Sequence, residues 1–419
     1  NEFDTDNDGF IDAIGFLHSG YGAEWGGTAA DGAYYKDRIW SHKWALYSLL
    51  GGKWTSTSGK SVYDYHISPS LWDKSGSAIG RIGVNAHETG HFLGLPDLYD
   101  GLGGSGIGSF CLMANSWGFD NSQYYPPHMS AWSKVQLGWV NPIVISTSGS
   151  YSARKACEFP DIFIIGNGAA DFDTGEYLLI ENRQPCKFDA IIPGPGLAIF
   201  HIDDSAAFDS EGYPGQTGWP TNGKHYRVAL LQADGNYNLE KGNNRGDAYD
   251  LFSSATSSFI SNSGISNGLP YPNTKGYKGG NIRDTGISIK GISGGDTMTF
   301  IVNIPTSTLE PTTDKQPSTA NPSTAPSTAT AKPTPTPCFT TNAALKAAID
   351  SYISQGCSTN SLCKISLSWG WLIGIWCTSL ITDMSNLFQH KSGFNDDISG
   401  WNVSSVINMS YMFHNASTF

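Results

Sequence analysis

The chain has 419 residues, room for two or three domains, and carries a net charge of −12 with a pI near 5.2. An acidic chain of this kind lacks the electrostatic footprint of a nucleic-acid binder. No apolar run reaches the roughly eighteen residues that a membrane-spanning helix needs.

The first feature in chain order is acidic. Asp4, Asp6, Asp8 and Asp12 stand around Gly9 as Asp-x-Asp-x-Asp-Gly-x-x-Asp. Hard oxygen ligands at alternate positions can wrap a calcium ion, and the Gly supplies the tight turn. The loop is not a complete EF-hand, because its twelfth position is Gly15 and not a bidentate Glu. The plainer alternative is an acidic surface turn. His18 and His42 stand alone near tryptophans and read as packed, hydrogen-bonded residues.

Residues 87–97 read His-Glu-Thr-Gly-His-Phe-Leu-Gly-Leu-Pro-Asp. On a helix, His87 and His91 project from one face and can meet one zinc ion. Glu88 lies beside the first ligand, where a carboxylate can take a proton from water. Gly94 permits a sharp turn that brings a third ligand back, and long metzincin motifs place that ligand where Asp97 stands. Between Glu88 and Glu158 there is no other Glu, so a later-helix Glu ligand has no nearby donor. Met113 occupies the place of a metzincin Met-turn, an apolar floor beneath the ligands. The bland readings are two surface histidines on a helix and a methionine that merely packs.

Beyond residue 146 the apolar runs Tyr177–Ile180, Leu197–Phe200 and Val228–Leu231, separated by Gly, Pro, Asn and Asp, read as strands and turns. Asp234, Asn236, Asp247 and Asp250 form a looser acidic group, a second candidate for calcium. Residues 305–337 are almost all Pro, Ser, Thr and Ala, the composition of an extended linker. In the tail, Trp376, Ile381, Met384, Phe388 and Phe394 recur 25 residues later as Trp401, Val406, Met409, Phe413 and Phe419. That period suggests a solenoid. Seven cysteines suit an oxidising compartment. Cys157 can pair with Cys186, and pairs can form among 338, 357, 363 and 377, which leaves Cys111 as a packed free thiol.

The stretch 87–100 resembles the zinc helix of the M6 peptidases, the immune inhibitor A group of secreted metalloproteases. So do Phe-Asp-Thr-Asp-Asn-Asp-Gly-Phe-Ile-Asp (3–12), Phe-Leu-His-Ser-Gly-Tyr-Gly-Ala-Glu-Trp-Gly-Gly (16–27) and Ile-Trp-Ser-His-Lys-Trp (39–44). Pro-His-Met-Ser-Ala-Trp-Ser-Lys-Val-Gln-Leu-Gly-Trp (127–139), Glu-Tyr-Leu-Leu-Ile-Glu-Asn-Arg-Gln (176–184) and Pro-Gly-Leu-Ala-Ile-Phe-His-Ile-Asp (195–203) continue the likeness. The tail, 341–419, is similar to BspA-like leucine-rich repeats. The resemblance implies a secreted, often calcium-stabilised zinc endopeptidase acting on proteins or peptides. It also implies a signal peptide and propeptide upstream of Asn1.

The expected architecture is α+β. A metzincin-like catalytic domain spans 1–145 and a β-rich part 146–304. The linker covers 305–337, and a repeat fragment over 338–419 has a surface or polymer partner. The expected chemistry has His87, His91 and Asp97 on zinc and Glu88 as general base, with Asp4, Asp6, Asp8 and Asp12 on calcium. The rival is a catalytically silent adhesion protein working through the tail.

Overall fold

The computed structural model describes residues 3–5, 8–28, 32–46, 52–72, 77–101, 103–168, 172–206, 212–220, 227–305, 338–357, 365, 373–396, 398 and 401–416. Most of the Pro/Ser/Thr stretch, 306–337, lies outside them. Two compact units are present, Asn1–Ile304 and Pro305–Phe419.

The first unit opens with β1 (Gly15–His18), β2 (His42–Ala45), the short pair β3 (Trp54–Thr55) and β4 (Ser61–Val62), and β5 (Asp64–Pro69). β5 is central, parallel to β1 and antiparallel to β2, so β2 forms an edge of this three-stranded sheet. Helix α1 (Ile82–Phe92) packs against β5 and β2. It stops at Gly94, whose φ of +86° is the left-handed conformation that glycine adopts without a Cβ penalty. The Leu95 N–H returns to the Gly90 carbonyl at 3.2 Å and closes the turn. Helix α2 (Ala131–Gln136) starts at Ser130, whose hydroxyl accepts from the Ser133 N–H at 3.3 Å.

Ten further strands follow. They are β6 (Ile143–Val144), β7 (Gly149–Arg154), β8 (Ile162–Gly166), β9 (Glu176–Arg183), β10 (Gly196–Asp203), β11 (Val228–Leu230), β12 (Phe259–Ser261), β13 (Gly264–Ile265), β14 (Ser288–Lys290) and β15 (Thr297–Asn303). They make two five-stranded sheets, ordered β11-β10-β9-β8-β6 and β13-β12-β14-β15-β7. Phe163, Ile165, Leu178, Ile180, Leu197 and Ile199 of one sheet share a buried core with Ile260, Ile289, Phe300 and Val302 of the other. Full burial of each such side chain is worth about 1.5–3 kcal/mol.

β9 explains its own sequence. Its even positions, Leu178 and Ile180, enter the sandwich core. Its odd positions turn to the opposite face, where α2 packs, so the whole strand is buried. A strand covered on both faces reads as an apolar run and not as an alternation. The odd positions also carry charge. Arg183 holds Asp189 through two hydrogen bonds of 2.7 and 2.8 Å and reaches Glu181 at 3.1 Å. Glu181 also bonds Lys134 and accepts the Ala131 N–H at 3.0 Å, at the positive end of α2. Arg183 donates as well to the Phe110 carbonyl at 2.7 Å, which ties this sheet to the segment after α1. Cys157 and Cys186 are joined, and Cys111 is free and buried.

In the second unit, Cys338 and Cys377 are joined, Cys357 is also disulfide-bonded, and helix α3 (Asn342–Ser354) begins at a Thr341 cap. The repeats stack on each other. The N–H groups of Met384, Asn386, Phe388 and His390 donate to the carbonyls of Asn408, Ser410, Met412 and His414 at 2.8, 3.1, 2.8 and 2.9 Å. The rings of Phe388 and Phe413 stack at 5.3 Å with an interplanar angle of 3°. Trp376, Ile381, Met384, Phe388, Phe394, Trp401 and Met412 share one core with α3. Phe419, the last position of the sequence repeat, lies outside the described residues.

Candidate metal centre

One face of α1 builds the centre. Gly83, His87 and Gly90 fall at i, i+4 and i+7, so they line up along the helix. A Cβ at Gly83 would stand 2.3 Å from the Ser116 carbonyl oxygen, and one at Gly90 2.4 Å from the Met113 sulfur. Bare backbone at both positions lets the segment 111–117 lie against the helix. That approach brings the Leu112 carbonyl within 3.0 Å of His87 Nδ1. Met113 is fully buried at this contact.

His91 is anchored in the same manner, with Nδ1 2.8 Å from the Leu95 carbonyl just past the Gly94 turn. A carbonyl acceptor fixes the proton on Nδ1 and leaves Nε2 as the ligating nitrogen. Both Nε2 atoms face Asp97 Oδ1, at 3.0 Å from His87 and 3.4 Å from His91. Ligands about 2.0–2.1 Å from a tetrahedral zinc lie about 3.3 Å from one another. The donor set and its spacing therefore fit zinc. Burial alone would raise Asp97, but hydrogen bonds with His87 and His91 hold its carboxyl well below the usual carboxylate range. Burial opposes charging of His91, and its contact with Asp97 outweighs that and raises it.

Glu88 is 6% exposed, beside the two imidazoles. Burial pushes its carboxyl up, while His87, His91 and the Lys43 backbone amide partly offset the rise. These groups open into a cleft of about 800 Å³. The edge strand β2 forms one wall through His42, Lys43 and Trp44, and Asn243, Asn244 and Arg245 stand in another.

The other expected residues fare differently. Asp4 is buried but bonds Lys60, Asp12 accepts from the Thr5 N–H at 3.1 Å, and Asp8 accepts from the Phe10 N–H at 2.7 Å. Among the described residues these three carboxylates are not brought together, and Asp6 lies outside the described residues. Asp234, Asp247 and Asp250 are brought together, with ligand oxygens within 4.8 Å of one another, while Asn236 caps Asp234 by donating to it. His42 bonds the Trp40 carbonyl at 2.7 Å, and His18 the Ser19 carbonyl at 3.1 Å.

Sequence reasoning gave no role to Tyr99. Its ring stacks on His87 at 6.3 Å, and its hydroxyl, raised by burial and by Asp97, bonds that carboxylate. The signal was its place two residues after Asp97. It also gave no role to Lys134, Glu181, Arg183 and Asp189, although three of them sit inside family-like stretches.

Comparison with known proteins places these features. Residues 2–140 match the family described as Immune inhibitor A peptidase M6, catalytic domain. Residues 362–419 match a family described as Mycoplasma protein of unknown function, DUF285. That corrects the leucine-rich-repeat assignment of the tail, because a 25-residue apolar period does not distinguish one stacked repeat from another. The chain is similar to Immune inhibitor A of Bacillus thuringiensis subsp. alesti, 34% identical over 206 residues, which is 47% of this chain and 23% of that protein. It is also similar to Pre-pro-metalloprotease PrtV of Vibrio cholerae serotype O1 (strain M66-2), 33% identical over 151 residues, 32% of this chain and 15% of that protein. The chain thus spans less than a quarter of the length of these relatives. Residues 2–140, which hold the His87, His91 and Asp97 group and its Glu88, thus resemble the catalytic domain of the immune inhibitor A (M6) peptidases.

Proposed function

We propose that the chain is a secreted zinc-dependent endopeptidase that hydrolyses peptide bonds in proteins. The observation that carries this reading is the convergence of two carbonyl-anchored imidazoles and one carboxylate, at 3.0 and 3.4 Å, beside a buried Glu88 in an open cleft. His87, His91 and Asp97 would hold the ion, and zinc bound there supplies Lewis acidity and a water acid enough to ionise near neutral pH. Met113 then serves as a metzincin-like floor, filling the gap beneath the helix with a thioether.

The protein's own groups do the rest. Glu88 takes a proton from the attacking water and delivers it to the leaving amine. Its raised carboxyl suits the delivery step, since an effective acid–base catalyst titrates near the working pH. Water attacks directly, so no acyl-enzyme forms. The edge of β2 offers backbone groups along the cleft, where an extended substrate adds as one more strand.

Secretion is supported by the disulfides and by the relative named as a pre-pro-metalloprotease. Among the described residues no helix is long and apolar enough to cross a membrane. The tail is read as a repeat module that holds a surface or polymer partner, supported by its separate compact unit.

Casein hydrolysis by the full chain, compared with Glu88→Ala at matched zinc content, tests the assignment. We expect a loss of about 10²–10⁴-fold in the variant, and loss in the parent on chelation. Equal rates would remove Glu88 from the mechanism. Inactivity of both with zinc bound would favour the binding-protein reading.

A further inference from the structure

We infer that the cavity lined by Trp219, Tyr237, Tyr271, Tyr277 and Glu240 binds a primary alkylammonium group, an amine of the size of a lysine side-chain end. The cavity measures about 50 Å³. That is about a third of the ~150 Å³ that accepts a benzene, so it has room for an ammonium and its first methylene groups. Its walls are aromatic. Trp219 meets Tyr271 edge to face at 5.6 Å and Tyr277 at 4.8 Å, and Tyr213 stacks on Tyr237 at 5.9 Å. The face of such a ring attracts a cation, and more strongly once the cation has left water.

Two polar groups in this wall lack what an ammonium would bring. Glu240 forms no ion pair among the described residues, and its side-chain partner is the neutral Gln232 amide. The cation next to it in sequence, Lys241, is directed elsewhere. It donates to the Asn236 carbonyl at 2.8 Å and lies 5.1 and 5.8 Å from the ring centres of Tyr213 and Tyr237. The Tyr237 hydroxyl is buried with no hydrogen-bond partner. Burial and the Glu240 carboxylate both push that hydroxyl up, so the two groups sense each other. The lining His201 is already paired with Glu176 at 3.0 Å. A buried carboxylate without a cation and a buried hydroxyl without a partner are both costly. An ammonium has three donors to offer them, while its methylenes lie against the rings. A neutral alkyl group would leave the carboxylate unpaired, and an anion would be repelled by it.

Glu240 precedes Asn243, which lines the cleft beside Glu88, by three residues, a span of at most about 11 Å between Cα atoms. The amine has two sources of the same chemistry. One is a free base. The other is a lysine of a polypeptide that also occupies the cleft, and only that source rests on the peptidase reading.

The test is calorimetric titration of the full chain with n-butylammonium chloride at about pH 8, beside 1-butanol and sodium butyrate, repeated on Glu240→Gln and Tyr237→Phe. We expect millimolar binding of the ammonium, no measurable binding of the alcohol or the butyrate, and affinity about tenfold weaker or more in Glu240→Gln. Tyr237→Phe should weaken binding several-fold. Burial pushes the Glu240 carboxyl up to about 7, while its own backbone amide, Gln232 and Lys241 oppose the rise and Asp234 adds to it. Each unit of pH below that value should therefore weaken binding about tenfold, with one proton released per amine bound, because the ammonium needs the ionised carboxyl. No binding of butylammonium at tens of millimolar, equal affinity for butylammonium and butanol, or unchanged affinity in Glu240→Gln overturns the proposal. Should Glu240→Gln fail to fold, the three probes on the parent decide alone. Nα-acetyl-lysine amide then separates the sources. Binding as tight as butylammonium supports the site with a polypeptide lysine as its occupant, and exclusion of the capped lysine supports it with a free amine. None of these titrations needs peptidase activity, so their failure and the failure of that reading stand apart.

Discussion

Two groups of acids lie in the β-rich part of the first unit, and they meet burial in opposite ways. Glu181 and Asp189 are buried with Arg183 and Lys134, so the positive charges they need come from within the chain. Burial works against both carboxyls, yet Lys134 and Arg183 hold Glu181 low and Arg183 holds Asp189 low. Asp234, Asp247 and Asp250 converge with no such ion pair among the described residues. There, burial and the neighbouring Asp247, Asp234 and Glu240 push the Asp250 carboxyl up to about 8. The first group is a finished piece of architecture. The second lowers its cost by proton uptake instead, since a carboxyl raised this far is largely protonated at neutral pH.

The largest test of this contrast removes the internal charge. Arg183→Ala should destabilise the first unit by about 3–5 kcal/mol in denaturant unfolding, because it strands the buried Asp189 and leaves Glu181 with Lys134 alone. Arg183→Met combined with Asp189→Asn, which leaves the Lys134–Glu181 pair intact, should recover most of that loss. No recovery would mean that Arg183 acts by shape and not by charge.

Acid should separate the two groups next. Glu181 and Asp189 have folded values below their unfolded ones, so their contribution is present above the ordinary carboxylate range and lost as pH falls through it. Thermal unfolding between pH 7 and pH 3 should show a falling Tm that Glu181→Gln makes shallower. A parallel curve for the variant would exclude Glu181 as a source. The smallest effect concerns the helix end that faces Glu181. Ser130→Ala should cost about 1 kcal/mol through loss of the α2 cap.

Legibility followed distance along the chain. His87, Glu88, His91 and Asp97 lie within eleven residues, and a helix followed by a glycine turn is enough to gather three of them at one point. The strands at 177–180 and 197–200 were readable because burial on both faces demands an apolar run. The acidic loop at 4–12 was less legible for the opposite reason. The partner of Asp4 is Lys60, 56 residues away, and nothing local announces it. The Arg183 network stayed hidden because a charge on a strand suggests solvent, and only the packing of α2 over β9 makes that face interior. Tyr99 was visible as a letter in the motif but not as a group, because its stacking on His87 depends on the path of the turn. The tail's period was legible, but its family was not.

The bare face of α1 has a consequence for how the centre can vary. Gly83 and Gly90 do no chemistry, yet each excludes any side chain from the space held by Ser116 and Met113. A substitution at either glycine shifts the strand of backbone that carries the Leu112 carbonyl, and with it the orientation of His87. The spacing of His87 and His91 against Leu112 is therefore held by packing, whatever ion or reaction the centre serves.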